Sequence, residues 1–108
     1  MATTDFDILE KISSIEKEKE KQKTQEPNMF RVVLHNDDKT TVDFVITLLQ
    51  MVFHKDLEEA AEITLSIHHK GRGIAGIYTR EIAEEKTEEA IRLARTSGYP
   101  LQVTYEKI

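Results

Sequence analysis

The chain has 108 residues, a formal net charge of −5, 32% charged residues and no cysteine. That length suits one domain, the acidic balance disfavours a nucleic-acid partner, whose phosphates need a basic face, and the missing cysteine excludes disulfides and thiolate metal sites. No apolar run is long enough to span a bilayer. The opening MATTDFDILEKI carries three acids and no basic stretch ahead of an apolar core, unlike a secretory signal, so a cytoplasmic protein is expected.

Residues 1–27 read as a flexible extension. Within it SSIEKEKEKQKTQE (13–26) has one strong hydrophobe, Ile15, and alternating Glu and Lys that give no face to bury. Phe6, Ile8, Leu9 and Ile12 form a small apolar cluster at helical spacing, too isolated to make a second core. A core domain is expected over 28–108. FRVVLH (30–35) is short and β-branched, as in a buried strand. Thr40 or Thr41 offers an N-cap, with Thr40 and Asp43 at capping-box spacing. The helix that follows is predicted to run to about His54 on a stripe of Val45, Leu48, Leu49 and Val52.

Asp56 with Glu59 repeats the capping signal for a second helix to His69, and Gly71 suits the left-handed position beyond its end. GIAGIYT (73–79) reads as a strand. A third helix, 80–96, is capped by Thr79 and stopped by Gly98 and Pro100. LQVTYEK (101–107) alternates Leu101, Val103 and Tyr105 with Gln102, Thr104 and Glu106, a strand with one wet face. The order is β-α-α-β-α-β. A three-stranded antiparallel sheet with three helices on one face, an α+β fold, would bury every stripe.

Little in the sequence speaks for catalysis. There is no HExxH, no GxSxG and no phosphate loop, and GRGIAG has the wrong polarity for one. His68 and His69 are adjacent, so on a helix they point about 100° apart. Convergence of His35, Asp37 and His68 on a metal is not demanded by the spacing. For Asn36-Asp37-Asp38 two readings stand: turn chemistry, because Asn and Asp side chains bond the nearby backbone, or an acidic turn that receives a cation.

Four segments bear on that choice: LHNDDKTTVDFV, LSIHHKG, IAGIYTREIAEEK and YPLQVTYEK. Together, over about residues 29–107, they resemble the ClpS family, bacterial adaptors of the N-end rule that hand substrates to the AAA+ unfoldase ClpA and the ClpP peptidase. The family fold has the element order read above. The resemblance implies a non-enzymatic adaptor, without cofactor or metal, that binds proteins with a large apolar first residue: Phe, Tyr, Trp or Leu. It implies that Asn36, Asp37 and His68 hold the free α-amino group. The physics suits this, since an α-ammonium has three donors and one charge at neutral pH, and an amide carbonyl, a carboxylate and a neutral imidazole can accept from it.

The apolar hole beside the amine is implied to involve Thr40, Val42, Val45, Leu48, Thr64, Ile67 and Leu101; of these, Thr64, Ile67 and His68 share a helix face at i, i+3 and i+4. Val42 and Thr64 stand where relatives often carry methionine, and Thr41 where proline is common. The Thr64 hydroxyl needs a partner, which its own helix carbonyl three or four residues back can supply. Glu81 and Lys86 match the positions that dock on the unfoldase's N-terminal domain, and the extension before Pro27 matches the segment the unfoldase engages. The same architecture would also serve a structural module like the C-terminal domain of the ribosomal stalk protein. A His/Asp metal hydrolase is the other rival.

Overall fold

A computed structural model of the chain describes residues 28–108; the expected flexible extension and its apolar cluster lie outside the described residues. The elements are β1 (Met29–His35), α1 (Val42–Met51), α2 (Leu57–Lys70), β2 (Arg72–Thr79), α3 (Arg80–Thr96) and β3 (Gln102–Lys107). They form the β-α-α-β-α-β order that the apolar stripes require. The sheet is antiparallel throughout, in the order β2-β1-β3. β1 is central, which explains its unbroken run of Val32, Val33 and Leu34, all fully buried.

The helices pack on one face of this sheet. Val45, Leu48, Leu49 and Val52 from α1, Ala60 and Ile67 from α2, and Ala83, Ala90 and Ala94 from α3 meet Val32, Leu34, Ala75, Leu101 and Val103. The alanine stripe lets α3 lie close to the strands, and Thr87 joins it by donating its hydroxyl to the Ala83 carbonyl at 2.7 Å. On the opposite face Arg72 of β2 and Glu106 of β3 form an ion pair that bridges over β1. Arg31 approaches the same carboxylate at 3.8 Å.

Helix ends follow the sequence signals with two exceptions: Thr79 stands at the N-cap of α3 but its side chain makes no capping hydrogen bond, and α1 stops early. Asp56 caps α2 by accepting from the Glu59 N–H at 2.8 Å, and Gly71 ends it at φ 85°. Of the two candidate caps of α1, Thr41 does the work, accepting from the Phe44 N–H at 3.2 Å. α1 is shorter than expected. It ends at Met51, not near His54, because His54 adopts a left-handed φ of 54° and the Lys55 N–H turns back to the Leu49 carbonyl. None of the described helices is long and apolar enough to cross a membrane.

Candidate functional site

The turn after β1 is held from both sides. The Asn36 backbone N–H donates to the Gly71 carbonyl at 2.9 Å, tying the end of β1 to the α2–β2 junction. Gly73 brings α2 close: a Cβ there would stand 2.7 Å from Ile67 Cγ1, so only glycine lets strand and helix meet this tightly. The start of α1 is fixed by Phe44 against Tyr99, with ring centroids 4.6 Å apart.

Inside this frame Asp37 closes the turn. Its Oδ1 accepts from the backbone N–H groups of Lys39 (2.8 Å) and Thr40 (2.9 Å), and its Oδ2 accepts a short bond from the Thr40 hydroxyl. Burial pushes the carboxyl up. The Thr40 hydroxyl, the two backbone N–H groups and the charge of Arg95 outweigh it, so the group sits below the ordinary aspartate value. Asp37 is therefore a pre-organised anion with both oxygens oriented. Turn chemistry and charge presentation are the same structure here.

Asn36, Asp37, Asp38, Thr40, Val42, Val45, Thr64, Ile67 and His68 line one cavity of about 260 Å³. That exceeds the roughly 150 Å³ hole that takes up a benzene ring. The polar residues come from the β1–α1 turn and from the last turn of α2, where His68 meets His69 edge-on at 5.3 Å. The apolar ones come from α1 and α2. Thr64 satisfies its hydroxyl on the Ala60 carbonyl at 2.7 Å, so it presents its methyl side without an unpaired donor.

Other residues named from the sequence stand elsewhere. Leu48 and Leu101 are 0% and 1% exposed in the core cluster with Val45 and Ile67 and are not part of the cavity lining. Glu81 is exposed on the first turn of α3. Lys86 lies half-buried, donating to the Val52 carbonyl at the end of α1 at 2.8 Å. His35 is 2.8 Å from the Thr104 hydroxyl of β3, away from the turn. Among the described residues no three His, Asp or Glu side chains gather as metal ligands. Sequence reasoning did not single out Asp38 as lining, nor Arg95, whose guanidinium also ties down the Tyr99 and Leu101 carbonyls. Its place in a basic last turn was the available signal.

A small α+β domain with a cavity that joins acidic and amide side chains to the apolar Val42, Val45 and Ile67 has the architecture of a binding module, and comparison with known proteins places it. The family of ATP-dependent Clp protease adaptor proteins, ClpS, matches residues 25–104. Among curated relatives, the ClpS adapter of Desulfatibacillum aliphaticivorans is 49% identical over 85 residues, covering 79% of this chain and 82% of its own. That of Desulforapulum autotrophicum is 56% identical over 81 residues, 75% and 78% of the two chains. That of Burkholderia thailandensis is 44% identical over 93% of this chain and 96% of its own. The solved structure of Agrobacterium tumefaciens ClpS2 bound to L-phenylalaninamide superposes with a TM-score of 0.74 at 33% identity, over 76% of this chain and 99% of that one. The chain belongs to the ClpS family of Clp protease adaptors.

Proposed function

We propose that the cavity receives the first residue of a protein with a free N-terminus, and that the chain delivers such proteins to a ClpA-type AAA+ unfoldase for degradation by ClpP. The observation that carries the reading is the Asp37 carboxylate, held ionised and oriented in a cavity whose lining also includes the apolar side chains of Val42, Val45 and Ile67. Asp37 Oδ2 keeps a lone pair beyond the Thr40 bond. That pair, the Asn36 carbonyl and the His68 ring supply three acceptors for the three donors of an α-ammonium. Each charge-assisted bond contributes roughly 1.5–3 kcal/mol.

The side chain enters between Thr40, Val42, Val45, Thr64 and Ile67, with Leu48 and Leu101 packing behind them. Burying a Leu or Phe side chain contributes roughly 1.5–3 kcal/mol. Large apolar first residues are therefore preferred, and the ligand of the ClpS2 structure, an aromatic amino-acid amide with a free amine, fits the same chemistry. The chain acts without cofactor and without chemistry of its own, in the cytoplasm. Glu81 and Lys86 on α3 meet the unfoldase's N-terminal domain, and residues 1–27 are the segment the unfoldase grips, ahead of a core domain at 28–108.

Fluorescence anisotropy with peptides that differ only in their first residue tests this. Free Phe-, Tyr-, Trp- and Leu-peptides should bind, and their N-acetylated forms, stripped of charge and two donors, should not. Equal affinity for free and acetylated peptides would exclude the amine site.

A further inference from the structure

α2 has a second working face. Thr64, Ile67 and His68 look into the amine cavity, while Glu62, Ile63, Ser66 and Lys70 form, with Arg72, Gly73 and Ile74 of β2, a groove of about 410 Å³. Its apolar surface is Ile63 and Ile74, and Gly73 leaves no side chain between them. Lys70 and Arg72 are its cations, Arg72 already paired with Glu106, against the single lining acid Glu62. β2 is an edge of the sheet and carries Ile74 and Ile77 at 44% and 54% exposure. An edge strand with exposed apolar side chains is a liability that proteins commonly cover with another segment.

The chain has a segment of complementary chemistry. Phe6, Ile8, Leu9 and Ile12 are the one apolar cluster before the core, interleaved with Asp5, Asp7 and Glu10 against a lone Lys11. Lys70 is in no ion pair with a described residue, so it is open to such acids. Reach is ample. Met29 pairs with Thr79, and Ile74 lies five residues back along β2, roughly 17 Å away. The intervening residues 13–28 extend to roughly 50 Å. A tether of this kind raises the effective concentration to the order of millimolar, so a contact too weak to retain a free peptide holds the tethered one.

We infer that residues 5–12 dock in cis in the groove between α2 and β2, their apolar side chains against Ile63 and Ile74 and their acids toward Lys70 and Arg72. The inference does not depend on the amine site. Docking covers the β2 edge and withholds the segment from any partner that must grip it, so release becomes a controllable step.

The chain has no cysteine, so Thr3→Cys gives a unique nitroxide site in the full-length protein. The nitroxide should broaden the amide resonances of Ile63, Ser66, Gly73 and Ile74 within the same molecule. A mixture of nitroxide-bearing, isotopically silent chain with nitrogen-15 chain lacking the label should show none of that broadening. Phe6→Ser combined with Ile8→Ser, which leaves every core residue in place, should abolish the effect, and Lys70→Glu should weaken it. Broadening of equal strength in the mixture assigns the groove to a second copy and overturns the inference. So does groove broadening that is missing, or that survives the Phe6 and Ile8 substitutions. An unchanged pattern in Lys70→Glu overturns the pairing of the acids with Lys70.

Discussion

One residue holds both oxygens of the Asp37 carboxylate: the Thr40 backbone N–H donates to Oδ1 at 2.9 Å and the Thr40 hydroxyl donates to Oδ2. The family resemblance counts Thr40 among the wall residues of the hole, yet its hydroxyl helps to keep ionised and to aim Asp37, the proposed amine acceptor. Thr40→Val keeps the shape and removes that donor. The Asp37 titration, followed by carboxyl carbon NMR, should move up toward the ordinary aspartate value, while Thr40→Ser should leave it low. A carboxyl with a lowered folded pKa stabilises the fold above the unfolded aspartate value and loses that contribution as pH falls through the folded pKa. The variant should therefore lose less stability than the parent on acidification below about pH 4. Peptide affinity should fall in Thr40→Val, but by less than the roughly 2–5 kcal/mol expected for Asp37→Ala. An unmoved titration in Thr40→Val would separate Thr40 from the amine site.

Val42 opens α1 at the cavity mouth and is 57% exposed. A β-branched first residue would crowd the wall near the backbone, and valine there leaves more room than methionine would. Steric relief of this kind changes discrimination by roughly 1–3 kcal/mol per methylene-sized group. Phe, Tyr, Trp and Leu should remain the best first residues, with Ile weak but measurable. Val42→Met should lower Ile affinity and leave Leu nearly unchanged. A Leu-to-Ile ratio that does not respond to Val42→Met would remove Val42 from the determinants of the hole.

The fold was legible because each stripe has one partner surface. Asp56 and Gly71 marked both ends of α2, and the unbroken apolar run of β1 agrees with its central place. The end of α1 was hidden because its stop is a left-handed histidine, His54, with no glycine or proline to announce it. At the site, side-chain identity carried less information than geometry. Leu48 and Val45 share a stripe, yet Val45 lines the cavity and Leu48 is wholly buried behind it. The role of Thr40 depends on how tightly the turn folds over Asp37, and that of Arg95 on a charge arriving from a distant helix. Neither is written in residue spacing. The assignment of Asn36, Asp37 and His68 came through the resemblance, and spacing alone left their convergence open.

Removing residues 1–26 leaves every described cavity-lining residue and every described residue of the core cluster in place. Peptide affinity should therefore stay within about twofold, an effect below roughly 0.5 kcal/mol. Degradation of a substrate with an N-terminal Phe or Leu by the unfoldase and peptidase should nevertheless fail, because the proposed handle is gone. Delivery at the full rate by the truncated chain would show the extension to be dispensable.

Lys86 has two candidate roles, and they can be separated. Its Nζ donates to the Val52 carbonyl at 2.8 Å, so it closes the end of α1 as well as standing on the proposed docking helix. Lys86→Met keeps the aliphatic stem but loses that bond and should lower folding stability by about 0.5–1.5 kcal/mol, read by urea denaturation. A loss of docking in this variant alone is thus ambiguous. Glu81 offers the clean comparison, because it is exposed and its side chain makes no hydrogen bond or ion pair with a described residue. Glu81→Lys should stay within about 0.5 kcal/mol of the parent in stability, yet weaken binding to the unfoldase's N-terminal domain by placing a cation where an anion was needed. Peptide affinity should be unchanged in both variants, since neither residue lines the cavity. If Glu81→Lys binds the N-terminal domain as tightly as the parent, the start of α3 is not the docking surface, and the effect of Lys86→Met reduces to the loosened end of α1.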